Sequence, residues 1–267
     1  MLSQYGFDGE DCPVIKGSAL AALEDKDEKL GKEAVKELLA AMDSYIPQPP
    51  RDLDKPFYMA IEGTFSIQGR GTVVSGKMQR GVLKAGDKCS IMGHNQHLDT
   101  VVTGVEMFKQ TLDKAEAGDN CGCLLKGLKR DDIRRGQVLC KPGTATMTNQ
   151  VEAQVYILST EEGGRDRPIM TNYQPQMFCQ TWDYPAYLLL KDREMIMPGE
   201  DATINVAIKT KMVVEKGLRF TLRDGSKTIG YGVISDLLED MDMEAFEAQK
   251  KAAKKAAAKA KEAEAYA

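Results

Sequence analysis

Gly71-Thr72-Val73-Val74-Ser75-Gly76-Lys77 has the GxxxxGK spacing of a phosphate-cradling loop, where backbone amides and a lysine hold a polyphosphate. The next residue is Met78, where a Ser or Thr hydroxyl must hold magnesium. A β-rich run also continues into Arg80-Gly81, where a helix N-terminus should begin. The match is therefore read as accidental, as is Asp119-Asn120-Cys121-Gly122, which mimics a DxxG switch. GxSxG, HExxH and any Cys/His grouping at ligand spacing are missing, so the residues alone favour a binding or assembly module over an enzyme. The six cysteines, Cys12, Cys89, Cys121, Cys123, Cys140 and Cys179, show no repeated CxxC spacing and read as buried thiols of a reducing compartment. His94 and His97, the only histidines, read as loop residues.

The elements around these residues change texture along the chain. Residues 1–50 read as an α/β remnant: the end of a helix, a loop, a short buried strand at Cys12-Pro13-Val14-Ile15, and an amphipathic helix from Leu30 to Tyr45. Pro47-Gln48-Pro49-Pro50 cannot continue a helix and marks a boundary. From there to about Asp236 short β-branched runs alternate with glycine turns. Strands are expected at 71–75, 87–92, 100–105, 122–125, 151–158, 202–211, 217–222 and 228–234. That pattern predicts two consecutive antiparallel β-barrels, at 51–143 and 144–238, divided near Lys141-Pro142-Gly143-Thr144. The Ala/Lys-rich tail, 239–267, is expected to be an exposed basic helix with too few large apolar residues to pack. With 42% hydrophobic residues the chain can bury real cores. Its net charge of −4 argues against indiscriminate coating of nucleic acid. No apolar run reaches the roughly 18 residues of a membrane span, and the N-terminus has no signal or transit pattern.

Several motifs carry a family resemblance. Asp54-Lys55-Pro56-Phe57, Phe65-Ser66-Ile67-Gln68-Gly69-Arg70-Gly71-Thr72, Thr103-Gly104-Val105-Glu106-Met107-Phe108, Ala117-Gly118-Asp119-Asn120 and Gly127-Leu128-Lys129-Arg130 resemble the second domain of translation elongation factor Tu. Glu161-Glu162-Gly163-Gly164-Arg165, Met197-Pro198-Gly199-Glu200-Asp201 and Gly217-Leu218-Arg219-Phe220 resemble its third. Thr181-Trp182-Asp183 leans towards the mitochondrial branch.

The resemblance implies a mitochondrial matrix protein whose partners are aminoacyl-tRNA, the ribosome, the family's nucleotide exchange factor and a GTPase half missing from this chain. It implies that Met1 falls inside a continuous helix, hence a truncated sequence. Gly17, Ser18, Ala19 and Leu20 match the last guanine-contacting loop, while the phosphate loop, both switches and NKxD are absent. No cofactor is expected from this chain alone, and GTP and magnesium belong to the intact family member, so this chain should not hydrolyse GTP by itself. Ile67, Val73 and Leu124 are implied as walls around a terminal adenine, with Glu106 against it. Glu62, Phe65, Ser75 and Asn120 would lie near the esterified amino acid, and Arg70 and Lys109 near the backbone. Arg165, Arg167 and Arg219 remain on an implied T-arm face, where Asp166, Gln174 and Gln180 stand at positions basic in relatives. The tail lysines, Lys250, Lys251, Lys254, Lys255, Lys259 and Lys261, are expected to compensate. The alternative is a factor repurposed as a structural subunit of a large mitochondrial assembly.

Overall fold

The computed structural model describes residues 2–6, 8, 9, 11–108 and 110–252. They fall into two compact units, Met1–Pro50 and Arg51–Ala267.

In the first unit, α1 (Ala19–Leu23) is capped by Ser18, whose Oγ accepts from the Ala21 amide at 3.2 Å. A π-type turn at Lys29–Glu33 leads into α2 (Ala34–Tyr45). Gly31 permits the close approach: a Cβ there would lie 3.0 Å from the Ala22 amide nitrogen. The expected buried strand at Cys12–Ile15 does not form. Among the described residues of this unit there is no strand for it to pair with, and Val14 is 80% exposed. The apolar stripe of α2, including Leu38, Leu39 and Met42, is likewise exposed.

The second unit is built from strands. β1 (Tyr58–Ile67), β2 (Gly71–Arg80), β3 (Val82–Lys84), β4 (Lys88–Gly93), β5 (Gln96–Met107), β6 (Gln110–Leu112), β7 (Lys114–Glu116), β8 (Asn120–Leu125) and β9 (Val138–Cys140) make the first barrel. Its sheet runs β4-β9-β1-β2-β8-β5-β6, and the additional β4–β5 pairing closes the first six of these into a ring, with β6 on its edge. Alternate residues of β2 from Thr72 to Met78 are buried, which is the pattern expected when one sheet face lines a core. The second barrel contains β10 (Met147–Ile157), β11 (Ile169–Met170), β12 (Gln176–Cys179), β13 (Trp182–Leu190), β14 (Met195–Ile196), β15 (Asp201–Val213), β16 (Arg219–Asp224) and β17 (Lys227–Leu237). Six of these close in the order β10-β15-β13-β12-β16-β17 around Val151, Ile157, Met177, Leu188, Ile204 and Leu222.

The barrels meet over a small apolar cluster of Tyr58, Met92, Val138, Cys140 and Val213. The β4–β5 hairpin inserts its tip into this joint. Its two turn residues, His94 and Asn95, both have positive φ, as a two-residue hairpin turn requires. Asn95 Oδ1 accepts from the Lys211 amide at 2.8 Å. His94 Nε2 donates to the Arg135 carbonyl at 2.8 Å, and Nδ1 meets the Tyr184 hydroxyl at 2.6 Å. His94 is thus a turn residue as expected, but one that fastens two domains.

The tail corrects a sequence expectation. Helical backbone covers 243–252, and its start is docked rather than free. Met243 and Phe246 pack on Tyr187 and Ala207, with the Phe246 and Tyr187 rings edge to face at 5.2 Å. The buried Asn149 side chain brackets Met241, donating to its carbonyl at 2.7 Å and accepting from its amide at 2.8 Å. Asp242 caps the helix by accepting from the Glu244 and Ala245 amides. Two apolar anchors at helical spacing suffice because the barrel supplies the other side of the interface. Lys254, Lys255, Lys259 and Lys261 lie outside the described residues.

Candidate functional site

The outer face of the first barrel carries a trough made by strand register. In one cross-strand row Phe65 pairs with Val73, Val73 with Leu124, and Leu124 with Gly104. In the next, Gly63 pairs with Ser75, Ser75 with Gly122, and Gly122 with Glu106. Ile67 opposite Gly71 and Lys77 opposite Asn120 extend the same face at either end. Side chains alternate along each strand, so residues from four strands converge on one face while their neighbours line the core.

Glycines make this face concave. Gly63, Gly71, Gly104 and Gly122 occupy outward positions among larger residues, so the floor is bare backbone and Phe65, Val73, Leu124 and Glu106 stand around it. The space is already used tightly: a Cβ on Gly63 would come 3.1 Å from the Phe65 ring, and one on Gly122 would come 3.2 Å from Val73 Cγ1. Phe65 is 56% exposed and Ile67 is also open. Glu62 sits where the β1–β2 register slips between Ile61 and Gly63, a bulge beside the trough.

Arg70 and Glu106 make a charged rim on the trough. Arg70 does not point freely at a ligand; its guanidinium donates to Glu106 Oε1 at 2.7 Å. The pair holds a carboxylate acceptor and a guanidinium donor side by side at the open end of an apolar trough. Such a set suits a planar heteroaromatic ring bearing an exocyclic donor, with an anion adjacent. Asn120, at the start of β8, is exposed. Lys109 lies outside the described residues.

Phe108 was not singled out by residue type. It occupies the tip of the β5–β6 hairpin two residues beyond Glu106, is 88% exposed, and has φ of +51°. An aromatic ring held in the left-handed region and left in water is costly on both counts. In the sequence it stood only as the last residue of the Thr103–Phe108 motif.

The basic positions of the second barrel do not form one patch. Arg165 lies 4.4 Å over the Tyr173 ring, donates from Nε to the Arg167 carbonyl at 2.9 Å, and reaches within 3.8 Å of Asp224. Its side chain is only 17% exposed. Arg219 begins the strand that Asp224 ends, roughly 16 Å away along β16 at 3.3 Å per residue. There it borders an open apolar cavity of about 680 Å³ with Phe178, Tyr231 and Val233. Arg167 is exposed. Gln180 bonds the Tyr58 hydroxyl at 3.3 Å and so belongs to the joint between barrels.

Gly17 to Leu20 form the cap and first turn of α1. The Ser18 amide is taken by the Leu30 carbonyl at 2.7 Å, and the Ala21 amide by Ser18 itself. The GxxxxGK run lies wholly within β2, which removes any phosphate-loop geometry. Among the described residues, no group of three or more His, Cys, Asp or Glu side chains is placed to hold a metal ion.

Comparison with known families bears on the two barrels directly. Residues 71–140 match elongation factor Tu domain 2, and residues 144–238 match the elongation factor Tu C-terminal domain. The chain carries an elongation factor Tu-like C-terminal portion. Each match covers most of one barrel, so the all-antiparallel architecture and the family agree. The match to elongation factor Tu domain 2 begins at Gly71, so β2, β5 and β8 of the trough fall within it and β1, with Phe65 and Ile67, precedes it.

Proposed function

We propose that the trough on the first barrel holds the 3′ end of aminoacyl-tRNA, and that this chain is the tRNA-holding part of a mitochondrial elongation factor Tu acting in the matrix. The observation that carries the reading is the pair of cross-strand rows. They gather Phe65, Val73, Ser75, Glu106 and Leu124, scattered over some sixty positions of sequence, around a glycine floor. An unstacked adenine fits between the Val73 and Leu124 walls, with its amino group toward Glu106, while Arg70 meets the flanking phosphate. Phe65, Ser75 and Asn120 then lie toward the esterified amino acid. Delivery to the ribosome, nucleotide exchange and GTP hydrolysis with magnesium are assigned to the assembly that includes the GTPase half. The exposed stripe of α2 gives that half an apolar face to cover.

The docked tail supports a second RNA contact. Lys250 lies 4.1 Å over the Tyr187 ring and donates to the Asn172 carbonyl, with Lys251 beside it, so the lysine-rich stretch starts from a fixed point on the second barrel. Its chemistry suits an RNA backbone.

Binding of a 3′-aminoacyl-adenosine analogue tests the trough. Glu106→Ala and Asn120→Ala should each weaken binding, and unchanged affinity in both would remove the assignment and favour a structural subunit. Deleting residues 240–267 tests the tail: affinity for whole tRNA should fall and its salt dependence should become shallower.

A further inference from the structure

The inner face of β8 presents sulfur directly beneath the trough. Cys121 and Cys123 alternate with Asn120, Gly122 and Leu124, so both thiols point into the first barrel, where both are buried. Their Sγ atoms are 4.0 Å apart. Met59, from β1, reaches the same place, with its Sδ 3.9 Å from Cys121 Sγ. It does so across β2 at Gly76, the residue paired with both Ile61 and Cys121. A Cβ at position 76 would stand 2.1 Å from the Ala60 carbonyl oxygen and 3.1 Å from Met59 Cγ, so glycine there admits both the neighbouring backbone and the Met59 side chain.

Three soft donors thus lie in one buried region, Cys121 Sγ being 3.9 Å from Met59 Sδ and 4.0 Å from Cys123 Sγ. An ion bonded to three sulfurs at about 2.3 Å holds each pair about 4 Å apart, close to both of these separations. Thiolate and thioether donors select soft ions such as Cu(I). The thioether separates this class from zinc, whose structural sites are built from thiolate, imidazole and carboxylate donors. Cys140 offers a contrast: its thiol meets one thioether, Met92, at 4.0 Å and the Ser90 carbonyl at 3.6 Å.

We infer that Cys121, Cys123 and Met59 form a binding site for a soft monovalent metal ion of the Cu(I) class, on the inner face of the strand that floors the trough.

The test titrates the full chain anaerobically with Cu(I) buffered by a competing chelator, and reads stoichiometry and the metal's X-ray absorption. One chelator-resistant equivalent is expected, with a shell of sulfur only at about 2.3 Å. Cys140→Ala should leave both readings unchanged, and the Cys121→Ala/Cys123→Ala variant should lose the equivalent. Met59→Leu, which conserves volume, should reduce the shell from three sulfurs to two, and it keeps the test decisive if the double variant fails to fold. A nitrogen or oxygen shell, no chelator-resistant ion, or equal binding by the folded double variant would overturn the site.

Discussion

The guanidinium of Arg80, on the first barrel, grips the carboxylate of Glu215, on the second, through two hydrogen bonds of 2.5 and 2.6 Å. The Tyr58 ring lies beneath the guanidinium at 4.6 Å, and both charged groups are mostly buried. Glu215 raises the Arg80 pKa by hydrogen bonding, the sign expected of a pair committed to its charged form. Removing one partner strands the other. Glu215→Ala should therefore cost about 1–3 kcal/mol in chemical denaturation, and the Arg80→Met/Glu215→Leu double variant should cost less than Glu215→Ala alone. Additive losses in the double variant would show that the pair is not coupled.

Filling the trough separates its function from its fold. A Cβ at Gly104 would meet only Leu124 Cβ, at 3.9 Å, so Gly104→Leu has room at its base and projects over the floor. Thermal stability should stay within about 0.5 kcal/mol of the parent or rise slightly, because a strand glycine is replaced on an open face. Binding of the aminoacyl-adenosine analogue should be lost. Retained affinity would place the ligand elsewhere.

The tail depends on a few anchors. Phe246→Ala removes the ring packed on Tyr187 and should weaken docking of the segment by about 1–2 kcal/mol. Amide exchange at residues 241–249 should accelerate while exchange in β10 and β15 stays slow. Equal protection in both proteins would mean the anchor is unimportant.

Buried thiols set an alkaline limit. Burial pushes Cys89 and Cys179 up to about 12 and Cys140 to about 11. The folded state favours the neutral thiol, so this stability is complete below the unfolded thiol value of about 8.5 and is lost as pH rises towards 11 to 12. Melting temperature should hold near pH 8 and fall steadily above pH 9, with a shallower fall in Cys179→Ala. A flat profile to pH 11 would contradict it.

Local patterns in the chain announced much of the fold. β-branched runs between glycine turns marked β2, β15 and β17, because a strand with one face in a core must alternate. Tyr58–Ile67 and Trp182–Leu190 escaped the pattern for local reasons: the first is broken by the Glu62 bulge, the second by Pro185 opposite Gln176. The strand expected at Cys12–Ile15 failed for the converse reason, since an apolar run becomes a strand only when a neighbour takes its hydrogen bonds. The helix at 243–252 was legible from its composition, but its dock was not, because Tyr187 and Ala207 become a surface only once β13 and β15 lie side by side.

The false phosphate loop shows the division most plainly. By itself the sequence determined that Gly71–Lys77 could not hold a nucleotide, because Met78 offers no magnesium ligand and no helix follows. It also determined two β-rich domains with family motifs in order, since these are properties of neighbouring residues. Only the tertiary structure decided that Val73 and Ser75 of that same run are walls of a glycine-floored trough while Gly76 makes room for Met59 against Cys121. Strand register assigns successive residues to opposite faces and chooses their partners from distant parts of the chain, and no local pattern carries that pairing.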